Sequence, residues 1–205
     1  MIPTQLNEIA EFLKTNPYNL SQPLQDGRLN SSVNEEEILN TIKGNFPIQL
    51  PRVREWWDFS FEENKIFYPV NIKTTTTKTA DNLNGKLGIY YALCGLLPEF
   101  NNEIAWEKYF QKLHKDLGTN TNRDYYFLII NKNDPKDVFI NSLKGIQTLQ
   151  PNNLPFQCKW DNNRKIVQRS FIESKNFILS ALAKSVKLRA NIYLTFKEFF
   201  GEFFE

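Results

Sequence analysis

Apolar positions recur at helical spacing twice before residue 50. Leu6, Ile9, Ala10 and Leu13 fall on one face of a segment running from Thr4 to Leu13, and Pro17 ends it. A turn-rich stretch follows from Asn16 to Asn30, with the runs NPYN and QPLQDG. Ser32 then opens a second predicted helix whose apolar positions are Val33, Ile38, Leu39 and Ile42. Ser32 and Glu35 have the spacing of a capping box. Pro47 and Pro51 bracket an extended link.

The period then shifts to two. In WWDFSF, Trp56 to Phe61, alternation puts Trp57, Phe59 and Phe61 on one face and Trp56, Asp58 and Ser60 on the other. EENK, Glu62 to Lys65, reads as a hairpin turn, and Ile66 to Lys73 as the returning strand. Its faces are Tyr68, Val70 and Ile72 against Pro69, Asn71 and Lys73. Asp81 or Asn82 is placed to cap a helix that runs to Leu97 and stops at Pro98. Trp106, Tyr109, Phe110, Leu113 and Leu117 give the clearest helix, Asn102 to Leu117, ended by Gly118. DYYFLIIN, Asp124 to Asn131, is a continuous apolar run of strand length, expected at the centre of a sheet. Val138 to Ile146 fits a short helix or a strand, and Phe156 to Trp160 a strand. Ser170 to Phe200 is helical in pattern, with possible breaks. Strands, then helix, strand and terminal helices predict α/β or α+β, a mixed central sheet flanked by helices.

Composition narrows the class. The chain has 205 residues and is 41% hydrophobic, enough for one sizeable core, so residues 1–205 are expected to form one domain. Residues 170–205 would be its helical end. The formal net charge of +2 neither demands nor excludes a nucleic-acid partner, since local patches decide that. Two cysteines and one histidine are too few for a disulfide framework or a structural zinc site. MIPTQLNEIAEFL is not a signal peptide, and no run approaches the ~20 apolar residues of a membrane span. These features predict a cytoplasmic protein with no membrane partner.

The predicted hairpin holds the strongest chemical signal. Asp58 sits mid-strand, and 13 residues on come Asn71, Ile72 and Lys73. A metal-dependent phosphodiesterase needs an acidic ligand, a second oxygen ligand close by, and a cation near the attacking water or the scissile phosphate. Two ligands on adjacent strands, with a lysine two residues after the second and on the same face, meet that need.

This order resembles the PD-(D/E)XK nucleases, above all the type II restriction endonucleases of that superfamily. The match is Asp58, then Val70-Asn71-Ile72-Lys73-Thr74-Thr75, and it covers about residues 56 to 82. A glutamate-bearing helix before it and a helix after it fit the same enzymes. The resemblance implies site-specific, Mg²⁺-dependent hydrolysis of double-stranded DNA by a homodimer. Asp58 would be a metal ligand, Asn71 would stand at the second ligand position, and Lys73 would stabilise the reacting phosphate or orient the attacking water. The family usually has Asp or Glu where Asn71 stands. A carboxamide oxygen can coordinate a hard cation but brings no charge. The site is then a natural variant, or another carboxylate compensates, or the substitution weakens cleavage.

Glu35 is the candidate compensator. It shares the apolar face of its helix with Ile38, Leu39 and Ile42, so it either reaches the hairpin as a catalytic and metal-binding residue or serves only as the partner of Ser32. The hydroxyls of Thr74, Thr75, Thr76 and Thr77, with Lys78, suit contacts to a DNA backbone, or else simply extend the strand. Gln147 to Arg169 mixes amides and cations with few acids. Lys159, Asn162, Asn163 and Arg164 are its candidates for reading base edges. Lys184, Lys187 and Arg189 form a second basic cluster of the kind usually found on a solvated helix face. Phe199, Phe200, Phe203 and Phe204 suggest packing at a dimer contact. Two alternative functions share these residues: a repair or junction nuclease, and a non-catalytic DNA-binding protein with a degenerate site.

Overall fold

A computed structural model describes residues 2–16, 27–52, 55–83, 85–100, 105–152 and 155–203; within 27–34 only the backbone is described. Helix α1, Thr4–Thr15, buries Leu6, Ile9, Ala10 and Leu13, the predicted face. Helix α2, Gly27–Asn45, begins five residues before Ser32. Ser32 is therefore interior to the helix rather than its cap, and the capping-box explanation of Glu35 is withdrawn. Ile38 and Ile42 are fully buried on its inner face.

Strand β1, Phe59–Glu63, and strand β2, Ile66–Thr75, form the predicted hairpin. Asn64 and Lys65 both take positive φ, 55° and 62°, which matches the twist of a tight two-residue turn. The strand was expected to start at Trp56, but Trp56 to Asp58 precede it. Trp57 also leaves the face assigned to it. Phe59 and Phe61 pack beneath the first two helices, whereas Trp56 and Trp57 pack on the opposite core. Ala80–Leu83, expected to open a helix, forms strand β3 instead. Pairing with a distant strand outweighs the capping tendency of Asp81 and Asn82. The helix itself, α3, is Lys86–Cys94, and Gly95 at φ 68° closes it.

Helix α4, Trp106–Asp116, keeps Tyr109 and Leu113 buried. Strand β4, Tyr126–Asn131, is buried over all but its last residue, and β5, Asp134–Ser142, settles the helix-or-strand ambiguity as strand. The main sheet has the order β1-β2-β4-β5. Its hairpins are antiparallel, while β2 and β4 run parallel in the register Lys73↔Ile129. The crossover between them carries β3, α3 and α4. It is tight where Gly88 passes Tyr125, because a Cβ at Gly88 would lie 2.4 Å from that ring. A second sheet, β3-β7-β6, is made with β6, Gln150–Pro151, and β7, Phe156–Lys159. A 3-10 turn, Trp160–Asn163, follows β7.

Helix α5, Phe171–Phe199, is continuous, without the breaks the sequence allowed. Ser170 caps it through a full capping box with Glu173. No described helix is long and apolar enough to cross a membrane.

The fold is thus a mixed sheet flanked by helices. One core lies under α1 and α2 against Val70, Ile72, Leu128 and Ile130. The other lies between the opposite sheet face, α3, α4 and the small sheet, around Phe127, Tyr90 and Trp160. The parity of β2 divides the two: Val70 and Ile72 enter the first core, and Asn71 and Lys73 are left for the site.

Candidate active site

The site forms where β1 gives out beside β2. Asp58 N donates to Val70 O at 2.9 Å, the last backbone rung on that edge. Beyond it the Asp58 side chain takes over from the strand. Its Oδ2 accepts from Ile72 N at 2.6 Å and from Asn71 Nδ2 at 2.7 Å. A side chain therefore satisfies the donor that a longer β1 would have paired. Burial raises the proton affinity of Asp58 above the usual aspartate range; the Ile72 amide and the Lys73 charge oppose this without cancelling it.

Asn71 and Lys73 share one face, as the i, i+2 spacing requires. Both line a recess of about 110 Å³ walled by Tyr125, Phe127 and Phe156. Lys73 is half-buried there, and its Nζ donates to Asn82 O on β3 at 3.2 Å. The recess gives the lysine an apolar floor, which strengthens any electrostatic contact it makes.

Glu35 reaches this site electrostatically. Its carboxyl is pushed up to about 7, first by burial, then by the Asp58 charge, with Lys73 acting in the opposite direction. Asp81 and Lys132 act on the same group. Neither was anticipated from sequence. Asp81 was assigned to a helix cap, but in β3 it accepts from Trp160 Nε1 at 2.9 Å. Lys132 follows β4, and its backbone N–H donates to Thr75 O at 2.9 Å. Only the parallel β2–β4 pairing brings those two strand ends together, and no local pattern announces it.

The threonine run divides. Thr74 and Thr75 are buried and complete β2, so the strand-extension reading holds for them. Thr77 is 1% exposed at φ 60°, also closed to a DNA backbone. Thr76 and Lys78 remain accessible, with Thr76 Oγ1 2.9 Å from Thr79 Oγ1.

The base-reading candidates divide likewise. Asn163 is fully buried. Its Oδ1 accepts from Thr148 N at 2.9 Å, and its Nδ2 donates to Lys159 O at 2.8 Å. That leaves no amide edge for a base, and Asn163 is corrected to a structural residue. Arg164 spans Asp137 at 2.8 Å and Asp161 at 2.9 Å, and lies over the Phe139 ring. Lys159 and Asn162 are exposed. Asp161 N donates to Thr77 O at 3.1 Å, which ties this segment to the loop carrying Thr76 and Lys78. Two stretches 80 residues apart in the chain thus share one surface, with Lys159 facing Ala80 across the small sheet.

Chemically, the arrangement offers two carboxylates of raised proton affinity, a carboxamide and a half-buried ammonium. Among the described residues no three His, Cys, Asp or Glu side chains converge on one point. A divalent cation would rest on Asp58 and Glu35 with a carboxamide or carbonyl oxygen. One or two carboxylates is the usual protein complement for Mg²⁺, which keeps several waters and binds substrate phosphate. The donor set fits that ion. No protein-family model matches the chain, and no curated protein matches it in sequence.

Proposed function

We propose that the chain is a Mg²⁺-dependent endonuclease of the restriction type, hydrolysing phosphodiester bonds of double-stranded DNA at a short specific site. One observation carries this reading. Asp58, Asn71 and Lys73 meet at the end of a β1 edge, within the electrostatic reach of Glu35. When bound, Mg²⁺ supplies Lewis-acid stabilisation of the phosphate and lowers the pKa of a bound water. The Lys73 ammonium, turned from Asn82 O toward substrate, stabilises charge developing on the scissile phosphate. Glu35, beside Asp58, supplies the negative charge that Asn71 does not bring to the cation. Asn71 holds the Asp58 carboxylate in place. Lys78, Lys159 and Asn162 belong to the surface that contacts DNA, Lys78 and Lys159 through phosphate charge.

Two cuts in antiparallel strands call for two sites related by a two-fold axis, hence a homodimer. The distal half of α5 supplies a surface for it. Leu188, Ile192, Tyr193, Phe196 and Phe199 are exposed there, followed by exposed Phe200 and Phe203 just past the helix end. The five on the helix fall within about 140° of its circumference at ~100° per residue.

A second reading keeps a specific observation. Asn71 presents a donor to Asp58 rather than a third charge, as a DNA-binding protein with a degenerate site would. Incubation with plasmid DNA and Mg²⁺ separates the readings. Discrete fragments support restriction, and structure-selective nicking of a four-way junction supports repair. No cutting by the wild type or by Asn71→Asp leaves only the binding protein.

A further inference from the structure

The opposite end of the main sheet carries a second concentration of charge. A cleft of about 330 Å³ opens where β2 and β4 begin, with Tyr68 and Tyr126 in its lining. Tyr68 lies five residues before Lys73, about 17 Å along the strand at the ~3.3 Å rise per residue. Three cations line the cleft, Arg123, Lys144 and Arg169, against one carboxylate, Asp124. Asp124 is committed internally, its Oδ1 accepting from Tyr125 N at 2.8 Å and from Lys144 N at 3.2 Å.

The cations are fixed by groups that do not neutralise them. Lys144 Nζ donates to the Thr121 and Arg123 carbonyls and lies over the Phe171 ring at 5.2 Å. Arg169 Nη1 donates to the carbonyls of Lys144 at 2.9 Å and Ile146 at 2.8 Å, and its guanidinium stacks on Phe177 at 4.2 Å. Arg123 Nη1 donates to Asn122 Oδ1 at 2.6 Å. Carbonyls and ring faces orient a cation without cancelling its charge. The remaining guanidinium N–H groups of Arg123 and Arg169 have no acceptor among the described residues. Glu173, which acts on Arg169, is itself held by Ser170 N at 2.7 Å and Ser170 Oγ at 2.8 Å. Burial lowers the proton affinity of both Lys144 and Arg169, and the charges of Asp124 and Glu173 oppose this without cancelling it.

We propose that this cleft binds a phosphate group, carried either by a free phosphate ester or by a nucleic-acid backbone. Two guanidiniums and an ammonium in fixed positions suit a group with several acceptor oxygens and one or two negative charges. The cleft exceeds the size of inorganic phosphate, and Ile66, Ile166 and Phe171 give the remainder of an ester an apolar wall. None of these residues belongs to the Asp58 site, so the inference stands apart from the nuclease reading.

Calorimetric titration at low salt in EDTA tests it, with inorganic phosphate, a nucleoside 5′-monophosphate and a short DNA duplex as probes. Wild type is compared with Arg123→Gln and Arg123→Glu. The Arg123 side chain bonds only its neighbour Asn122, so both variants retain the fold. At least one probe is expected to bind, about tenfold more weakly to Arg123→Gln and undetectably to Arg123→Glu. An Arg123-dependent response to phosphate or the monophosphate identifies a free ester as the ligand. Such a response to the duplex alone identifies the backbone. No binding by any probe, or affinities that Arg123→Glu leaves unmoved, overturns the proposal.

Discussion

The Asn71 carboxamide donates to the Asp58 carboxylate at 2.7 Å, in the place where a second acidic residue would set charge against charge. The hydrogen bond fixes Asp58 without a cation present. Asn71→Asp should therefore destabilise the metal-free protein by roughly 1–3 kcal/mol, the cost of a lost hydrogen bond and a close like-charge pair. Urea unfolding in EDTA measures this. Added Mg²⁺ or Ca²⁺ should stabilise the variant more than the wild type. Equal responses would mean that position 71 does not face the cation.

Glu35 sets the pH dependence near neutrality. Its folded pKa of about 7 lies above the ordinary glutamate value, so folding favours its protonated form. Its contribution is complete below the ordinary glutamate range and is lost as pH rises toward 7. Asp116 and Asp137 work in reverse. Their proton affinities are lowered in the fold, so they lose stability only below about pH 4. In EDTA, wild-type stability should fall between about pH 5 and 7, and Glu35→Gln should flatten that slope. Side-chain carboxyl NMR should show one glutamate titrating near 7. A Glu35 midpoint below 5 would remove it from the site.

Asn163 separates structural from base-reading roles. Asn163→Ala removes bonds to Thr148 and Lys159 inside the fold and should cost roughly 2–3 kcal/mol by thermal or urea unfolding. Asn162→Ala, on an exposed side chain, should leave stability within about 0.5 kcal/mol. An unchanged stability for Asn163→Ala would return it to the list of base readers.

What was legible in the sequence followed from local periodicity. Leu6, Ile9 and Leu13 announced α1, and the alternation around Val70 and Ile72 announced the face that leaves Asn71 beside Lys73. What escaped depends on distant partners. Ala80–Leu83 has the polar start of a helix, yet pairs with β7, 73 residues on by the Leu83↔Phe156 end and 79 by the Ala80↔Lys159 end. Asp81 and Lys132 join the site only through that pairing and the parallel β2–β4 contact. The abundance of amides from Gln147 onward suggested a recognition loop, but the periodic signal gave no means of telling that Asn163 faces inward.

The distal face of α5 predicts a dimer. Sedimentation should give about twice the chain mass of 24.1 kDa, and Phe196→Asp with Phe199→Asp should return it to monomer without loss of helicity. A monomeric wild type at micromolar concentration would remove this surface as the dimer contact.

Lys73 carries the central claim, and its replacement in a plasmid-cleavage assay tests it most directly. Wild type with Mg²⁺ should produce discrete fragments, and EDTA should stop the reaction. Lys73→Ala should cut about 10²–10³-fold more slowly while holding duplex DNA within about threefold of wild type. Cleavage by Lys73→Ala at the wild-type rate, or none by wild type and Asn71→Asp alike, would contradict the assignment.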